Sequence, residues 1–160
     1  MSAAEVIAAL KARGWMMATA ESCTGGLIAG AITEVPGSSA VFDRGFVTYS
    51  NAAKIDMLGV SPATLDAHGA VSEEVAAEMA RGALDRSAAQ VAVAVTGIAG
   101  PGGSDHKPEG RVCFGLATGV AVITETVEFG ALGRSEVRRR TVEHALSLLL
   151  RAAGDEAGFS

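Results

Sequence analysis

Apolar residues recur along this chain with two periods, and the switches between them mark out its elements. From residue 3 to 13, Val6, Ile7 and Leu10 share one side of a helix. Glu5 and Lys11 lie elsewhere, and Gly14 stands where a helix would end. WMMATAES (15–22) reads as a short buried strand. Thr24, Gly25 and Gly26 open a second helix through Leu27, Ile28 and Ile32, closed by Pro36 and Gly37. VFDRGFVTYS (41–50) predicts a strand with an interrupting glycine. NAAKIDMLG (51–59) predicts a short helix with Asn51 as N-cap and Gly59 as its stop.

SPATLDAHG (61–69) begins with Ser then Pro, a favoured helix opening, and Ser72 caps a longer helix to about residue 86. QVAVAVTGIAG (90–100) is a wholly apolar strand running into glycines, the pattern of a strand covered on both faces. A turn-rich stretch follows (100–110). RVCFGLAT (111–118) and VAVITETVEF (120–129) then form a hairpin joined near Gly119, and a last helix runs from about Ser135 to Ala153. This order predicts an α/β fold: a three-layer α/β/α sandwich on a mixed, mostly parallel five-stranded sheet. Helical crossovers make the first three strands parallel neighbours, and the late hairpin adds an antiparallel strand.

Composition narrows the class. A chain of 160 residues is the size of one domain, here 1–160 with a core over about 3–152, and 49% apolar content suffices for a core. Alanine and glycine are plentiful, so helices can lie close against the sheet. A net charge of −5 argues against a nucleic-acid partner. No apolar stretch is long enough to span a bilayer, and no secretory signal pattern opens the chain. The expectation is a cytoplasmic protein with two reduced thiols, Cys23 and Cys113. Two cysteines and three histidines without ligand spacing predict no metal site.

Ligands of open α/β sheets bind beyond the carboxyl ends of the parallel strands. Three segments would end there, AESCTGG, TYSNAAK and VTGIAGPGG, all rich in hydroxyls and glycines. Ser22 would stand at a strand-to-helix turn where free amides around residues 24 to 26 can hold an oxyanion. Residue type alone favours the plainer role, Ser22 or Thr24 as a helix cap. Lys54 falls at the third helical position if Asn51 is the N-cap. A cation is disfavoured there, so Lys54 either turns into solvent or is a buried amine of lowered pKa able to take a proton from Ser22. Tyr49 is a half-buried ring, a proton relay or a stacking surface. Thr96 and Gly97 begin a glycine-rich wall that lets a ligand approach the backbone. Arg134 and Arg138 share the inward stripe of the last helix and suit a phosphate or carboxylate clamp. Arg139, Arg140 and Arg151 read as a solvated basic run. Cys23 rivals Ser22 as nucleophile, but no histidine stands in relay spacing to it.

AESCTGG, GSSAVFDRGFVTYSNAAK, HGAVSEEVAAEMARGAL, TGIAGPGGSDHKPEG and VRRRTVEHAL together resemble the CinA C-terminal-domain family, over roughly residues 3 to 152. That family includes standalone nicotinamide-nucleotide amidases. The resemblance implies deamidation of nicotinamide mononucleotide, a small-molecule mononucleotide substrate, to nicotinic acid mononucleotide and ammonia. It implies a serine nucleophile with a lysine partner, matching Ser22 and Lys54, with Tyr49 in the matching tyrosine motif. It implies no cofactor and a homo-oligomer. Thr24, Gly25, Gly26, Ser39, Thr96, Gly97, Arg134 and Arg138 match family positions that line or approach the site. GALGRSEVR lacks the Asp that often precedes the arginine at position 134. A non-catalytic nucleotide-binding module, or an amidase for another amide, uses the same pocket in the alternative readings.

Overall fold

The computed structural model describes residues 2–154; of the domain predicted over 1–160, residue 1 and residues 155–160 lie outside the described residues. The elements in chain order are α1 (Ala3–Arg13), β1 (Met17–Glu21), α2 (Leu27–Thr33), a 3-10 turn (Ser38–Ala40), β2 (Phe42–Val47), α3 (Asn51–Leu58), α4 (Pro62–His68), α5 (Glu73–Asp85), β3 (Val91–Gly97), β4 (Arg111–Thr118), β5 (Val122–Glu128) and α6 (Arg134–Gly154). This is the predicted succession. The sheet order is β2-β1-β3-β4-β5. β1 runs parallel to both β2 and β3, while β4 is antiparallel to β3 and to β5. Hence β2, β1, β3 and β5 point one way and β4 points against them.

The apolar run of β3 hides a period of two. Val91, Val93 and Val95 pack with Val6, Leu10, Ile28 and Leu149 on the side of α1, α2 and α6. Ala92 and Ala94 pack with Leu58, Val75 and Met79 on the side of α3 and α5. Large residues fill one layer and small ones let α5 settle onto the other. At Gly115 of β4 an added Cβ would lie 2.4 Å from the carbonyl oxygen of Ala76, so the α5 backbone rests directly on the sheet.

Chain direction then sets the site. The β1-to-β2 crossover passes through α2 on one face; the β2-to-β3 crossover passes through α3, α4 and α5 on the other. Strand order therefore reverses between β1 and β3, and the carboxyl ends flanking that reversal leave a crevice.

Several boundaries differ from those the sequence predicts. β1 keeps only Met17–Glu21 of the strand predicted over 15–22. The second helix starts at Leu27, not Thr24, because Gly25 and Gly26 take φ of 56° and 105° and shape a turn that glycine alone adopts readily. Its end also comes earlier, at Thr33. The N-cap of α3 is Ser50, whose hydroxyl accepts from the Ala53 amide at 3.0 Å, so Asn51 is the first helical residue and Lys54 the fourth.

Candidate active site

A cavity of about 450 Å³ opens at the carboxyl ends of β1, β2 and β3. That is within the range of small-molecule sites, roughly 300–1,000 Å³. Ser22, Lys54, Tyr49, Thr96, Gly97 and Arg134 all line it. The three segments expected to converge do so.

Ser22 is the first residue past β1. Its amide donates to the Val95 carbonyl at 3.1 Å, which fixes it to the end of β3, and its carbonyl accepts from the Gly25 amide at 3.1 Å, which closes the turn. Ser22 caps nothing. The N-cap of α2 is Gly26, which supplies no side-chain bond. The capping falls to Glu21, a residue the sequence reading passed over. Its carboxyl accepts from Ile28 N at 2.8 Å, Ala29 N at 3.0 Å and Thr24 Oγ1 at 2.5 Å.

Lys54 is the most unusual side chain in the molecule. It is 1% exposed and ranks with the largest fully buried residues. Its Nζ donates to the Thr48 carbonyl at 3.0 Å and lies 2.9 Å from Ser22 Oγ. Burial pushes the amine below its ordinary value of 10.5, against a smaller opposing effect of Cys23. A hydroxyl beside an amine of reduced basicity is the arrangement for general-base activation of a nucleophile. The solvent-turned lysine of the plainer reading is not what forms.

Cys23 also borders the cavity, but burial pushes its thiol up to about 12, and none of the three histidines lines the cavity. A thiol in that state is a poor nucleophile. The Cys23 amide donates to no other described residue; its own thiol is the group it faces.

At the mouth, Arg134 donates to Tyr49 Oη at 2.8 Å and to the Gly100 carbonyl at 2.7 Å. Tyr49 is 62% exposed, so neither the half-buried ring nor a relay hydrogen bond to Lys54 is present. Glu109, also unremarked in the sequence, accepts from Gly102 N at 2.6 Å and Gly133 N at 3.2 Å, tying the glycine wall to the start of α6. Thr96 spends its hydroxyl on the Ala70 carbonyl at 2.9 Å and so braces the opposite wall.

The arginine pair divides. Arg138 donates to the carbonyls of Cys23 at 3.1 Å and Thr24 at 3.3 Å and holds the serine turn from outside, away from the cavity lining. Arg139 and Arg140 turn to solvent and pair with Glu136. Thr24, Gly25 and Gly26 shape the turn but do not line the cavity, and the Gly25 amide donates to the Ser22 carbonyl. Ser39 sits in the 3-10 turn before β2, at the amino end of that strand, and is exposed. The cavity is at the other end, so Ser39 is not part of it within this chain.

The resemblance seen in the sequence is supported by comparison with known proteins. The sequence model of the CinA C-terminal domain matches residues 1–153. Nicotinamide-nucleotide amidohydrolase PncC of Enterobacter agglomerans is 56% identical over 149 residues, which cover 92% of this chain and 90% of that protein. The CinA-like protein of Chloroherpeton thalassium is 54% identical over 145 residues, 88% of this chain but only 34% of that longer protein. The crystal structure of the competence/damage inducible protein CihA from Agrobacterium tumefaciens superposes with a TM-score of 0.90 at 54% identity, covering 93% of this chain and 92% of that one. On the extent of these matches, the chain belongs to the CinA C-terminal-domain family.

Proposed function

We propose that this chain hydrolyses the carboxamide of nicotinamide mononucleotide, giving nicotinic acid mononucleotide and ammonia, with Ser22 as nucleophile and Lys54 as its base. The observation that carries the mechanism is the 2.9 Å contact between Lys54 Nζ and Ser22 Oγ inside the cavity wall. The substrate follows from the name of the Enterobacter agglomerans relative.

The Thr48 carbonyl takes one N–H of Lys54 and so turns the lone pair of the neutral amine toward Ser22. Lys54 removes the hydroxyl proton as Oγ bonds to the carboxamide carbon, and the carbonyl electron pair moves onto oxygen. The Cys23 amide is the donor nearest in sequence to receive that charge. An oxyanion donor of this kind contributes about 3–4 kcal/mol to the barrier. The Lys54 ammonium returns its proton to the amide nitrogen, the C–N bond breaks, and ammonia leaves. Water, losing a proton to Lys54, then opens the acyl-serine to the carboxylic acid and restores the hydroxyl. Arg134, cationic and exposed at the mouth, meets the phosphate, and the Tyr49 ring flanks it.

Purified protein incubated with nicotinamide mononucleotide is expected to release ammonia and nicotinic acid mononucleotide in equal amounts, and Ser22→Ala to release neither. A ligand-induced rise in melting temperature without ammonia makes the domain a binding module instead. Among the described residues no helix is long and apolar enough to cross a membrane. A cytoplasmic location and self-association belong to the same reading and are checked by cell fractionation and sedimentation.

A further inference from the structure

We infer that Glu21 is a positioning residue that fixes the direction of Ser22 Oγ by clamping the serine turn to the strand below it and the helix beyond it. The inference rests on the reading of Ser22 as nucleophile. Glu21 is 0% exposed, and a buried carboxyl is costly unless its oxygens are fully bonded. Here they are. Oε1 accepts from Thr24 Oγ1 and Ile28 N, and Oε2 from Ala29 N. Ile28 and Ala29 are the second and third residues of α2, whose amides a cap residue ordinarily serves. A serine or asparagine at the N-cap would satisfy them at the surface. The chain instead leaves Gly26 there and reaches back seven and eight residues, from the end of a strand.

That choice has a mechanical result. The turn between Glu21 and α2 contains Gly25 and Gly26 at positive φ, a backbone with little stiffness of its own. Glu21 ties strand end, Thr24 side chain and helix start into one unit around Ser22. Arg138 grips the Cys23 and Thr24 carbonyls from the other side. The main chain of Glu21 also reaches the base: its carbonyl accepts from Thr48 N at 2.9 Å, and the Thr48 carbonyl accepts from Lys54 Nζ. One residue thus registers both partners of the 2.9 Å contact.

The test uses Glu21→Gln, which keeps size and shape. All three groups facing the carboxyl can donate, so either orientation of the new amide sets its NH₂ against an N–H of Ile28 or Ala29. The readouts are kcat, KM and the rate of Ser22 labelling by a fluorophosphonate, located by mass spectrometry, well below each variant's melting temperature. Glu21→Gln is expected to lower kcat and the labelling rate by roughly tenfold to a hundredfold, the scale of a misplaced reacting group, with KM little changed. Thr24→Val, which removes one bond and leaves the carboxyl in place, is expected to slow labelling to a smaller extent, and Thr24→Ser to restore it. Glu21→Gln labelled at the wild-type rate, even with a lowered melting temperature, overturns the inference while leaving Ser22 as nucleophile. Should Glu21→Gln not fold, Thr24→Val labelled at the wild-type rate overturns it equally. A wild-type protein never labelled at Ser22 removes the nucleophile reading, and this inference with it.

Discussion

Lys54 Nζ lies 2.9 Å from Ser22 Oγ, and the two side chains are only 1% and 8% exposed. The contact joins the fourth residue of α3 to the residue after β1, and each is held by its own backbone bonds. Ser22→Ala and Lys54→Ala are therefore expected to lose activity by on the order of a thousandfold or more. Lys54→Arg is expected to stay inactive, because a guanidinium does not deprotonate. Ammonia release measures all three. Ser22→Ala keeping wild-type turnover ends the covalent scheme.

Burial of Lys54 also ties stability to pH. A lysine whose pKa is lowered on folding binds fewer protons folded than unfolded between the folded value and the ordinary 10.5. Stability then rises with pH across that window, by at most about 1.4 kcal/mol per pH unit for one group. Lys54→Met removes the cost of burying the amine. It should melt higher than wild type at neutral pH while remaining inactive, and its advantage should shrink as pH approaches 10.5. Calorimetry of both proteins across pH decides. In wild type, kcat/KM is expected to rise with pH through the lowered Lys54 value and then level off.

Cys23 provides a control on the nucleophile. Its thiol borders the cavity but burial pushes it up to about 12, which leaves almost no thiolate at pH 8. Slow alkylation by iodoacetamide is expected, and Cys23→Ala should retain most of its turnover. Its cost should be about 1 kcal/mol in stability, for a small buried side chain lost from the core. Loss of activity in Cys23→Ala with a normal melting curve reopens the thiol mechanism.

What the sequence reveals here divides along a physical line. Element order and the parallel-then-hairpin arrangement come from periodicity, a local property that survives folding. Lys54 stands out because a cation in a first helical turn strains a local rule, whereas Ser22 reads by residue type as a cap and is singled out by its place at a strand end and by the family resemblance. The N-cap of α3 is misplaced by one residue, because Ser50 and Asn51 are both good caps and only the backbone angles choose between them. Glu21 is silent in the sequence, because its bonds run to residues seven and eight positions ahead across a glycine turn. Arg134 and Arg138 share one helical stripe, yet one meets the cavity and the other a pair of carbonyls. That difference depends on where α6 passes the loops, which no local pattern records.

The arginines should accordingly separate in their variants. Arg134 makes its two bonds to neutral acceptors at the cavity mouth, which leaves its charge available to a phosphate. Arg134→Ala is expected to raise KM for nicotinamide mononucleotide about tenfold or more with kcat little changed. Any slow hydrolysis of the riboside, which lacks the phosphate, should be unaffected. Arg138→Ala instead frees two carbonyls behind the serine turn. It should lower the melting temperature, for a loss of about 1–2 kcal/mol, and reduce kcat. Equal KM effects in the two variants would contradict this division.

The placement of Lys54 depends finally on how closely α3 approaches α5. At Gly82 in α5 an added Cβ would lie 2.0 Å from the carbonyl oxygen of Leu58, the last residue of α3. The neighbour is backbone, so it cannot rotate aside, and α3 must move as a unit to make room. Alanine is the better helix former by about 1 kcal/mol, but overpacking of this kind costs about 1–3 kcal/mol and here meets the main chain directly. Gly82→Ala should therefore be destabilising. It should also lower kcat, because the displaced helix carries the amine away from Ser22. Gly30 in α2 is the matched control: nothing lies within 4 Å of its added Cβ. Gly30→Ala is expected to stabilise by about 0.5–1 kcal/mol and to leave turnover unchanged. Denaturant melts and ammonia release on the two variants give opposite signs if close contact between the helices seats Lys54, and the same sign if helix propensity alone is at work.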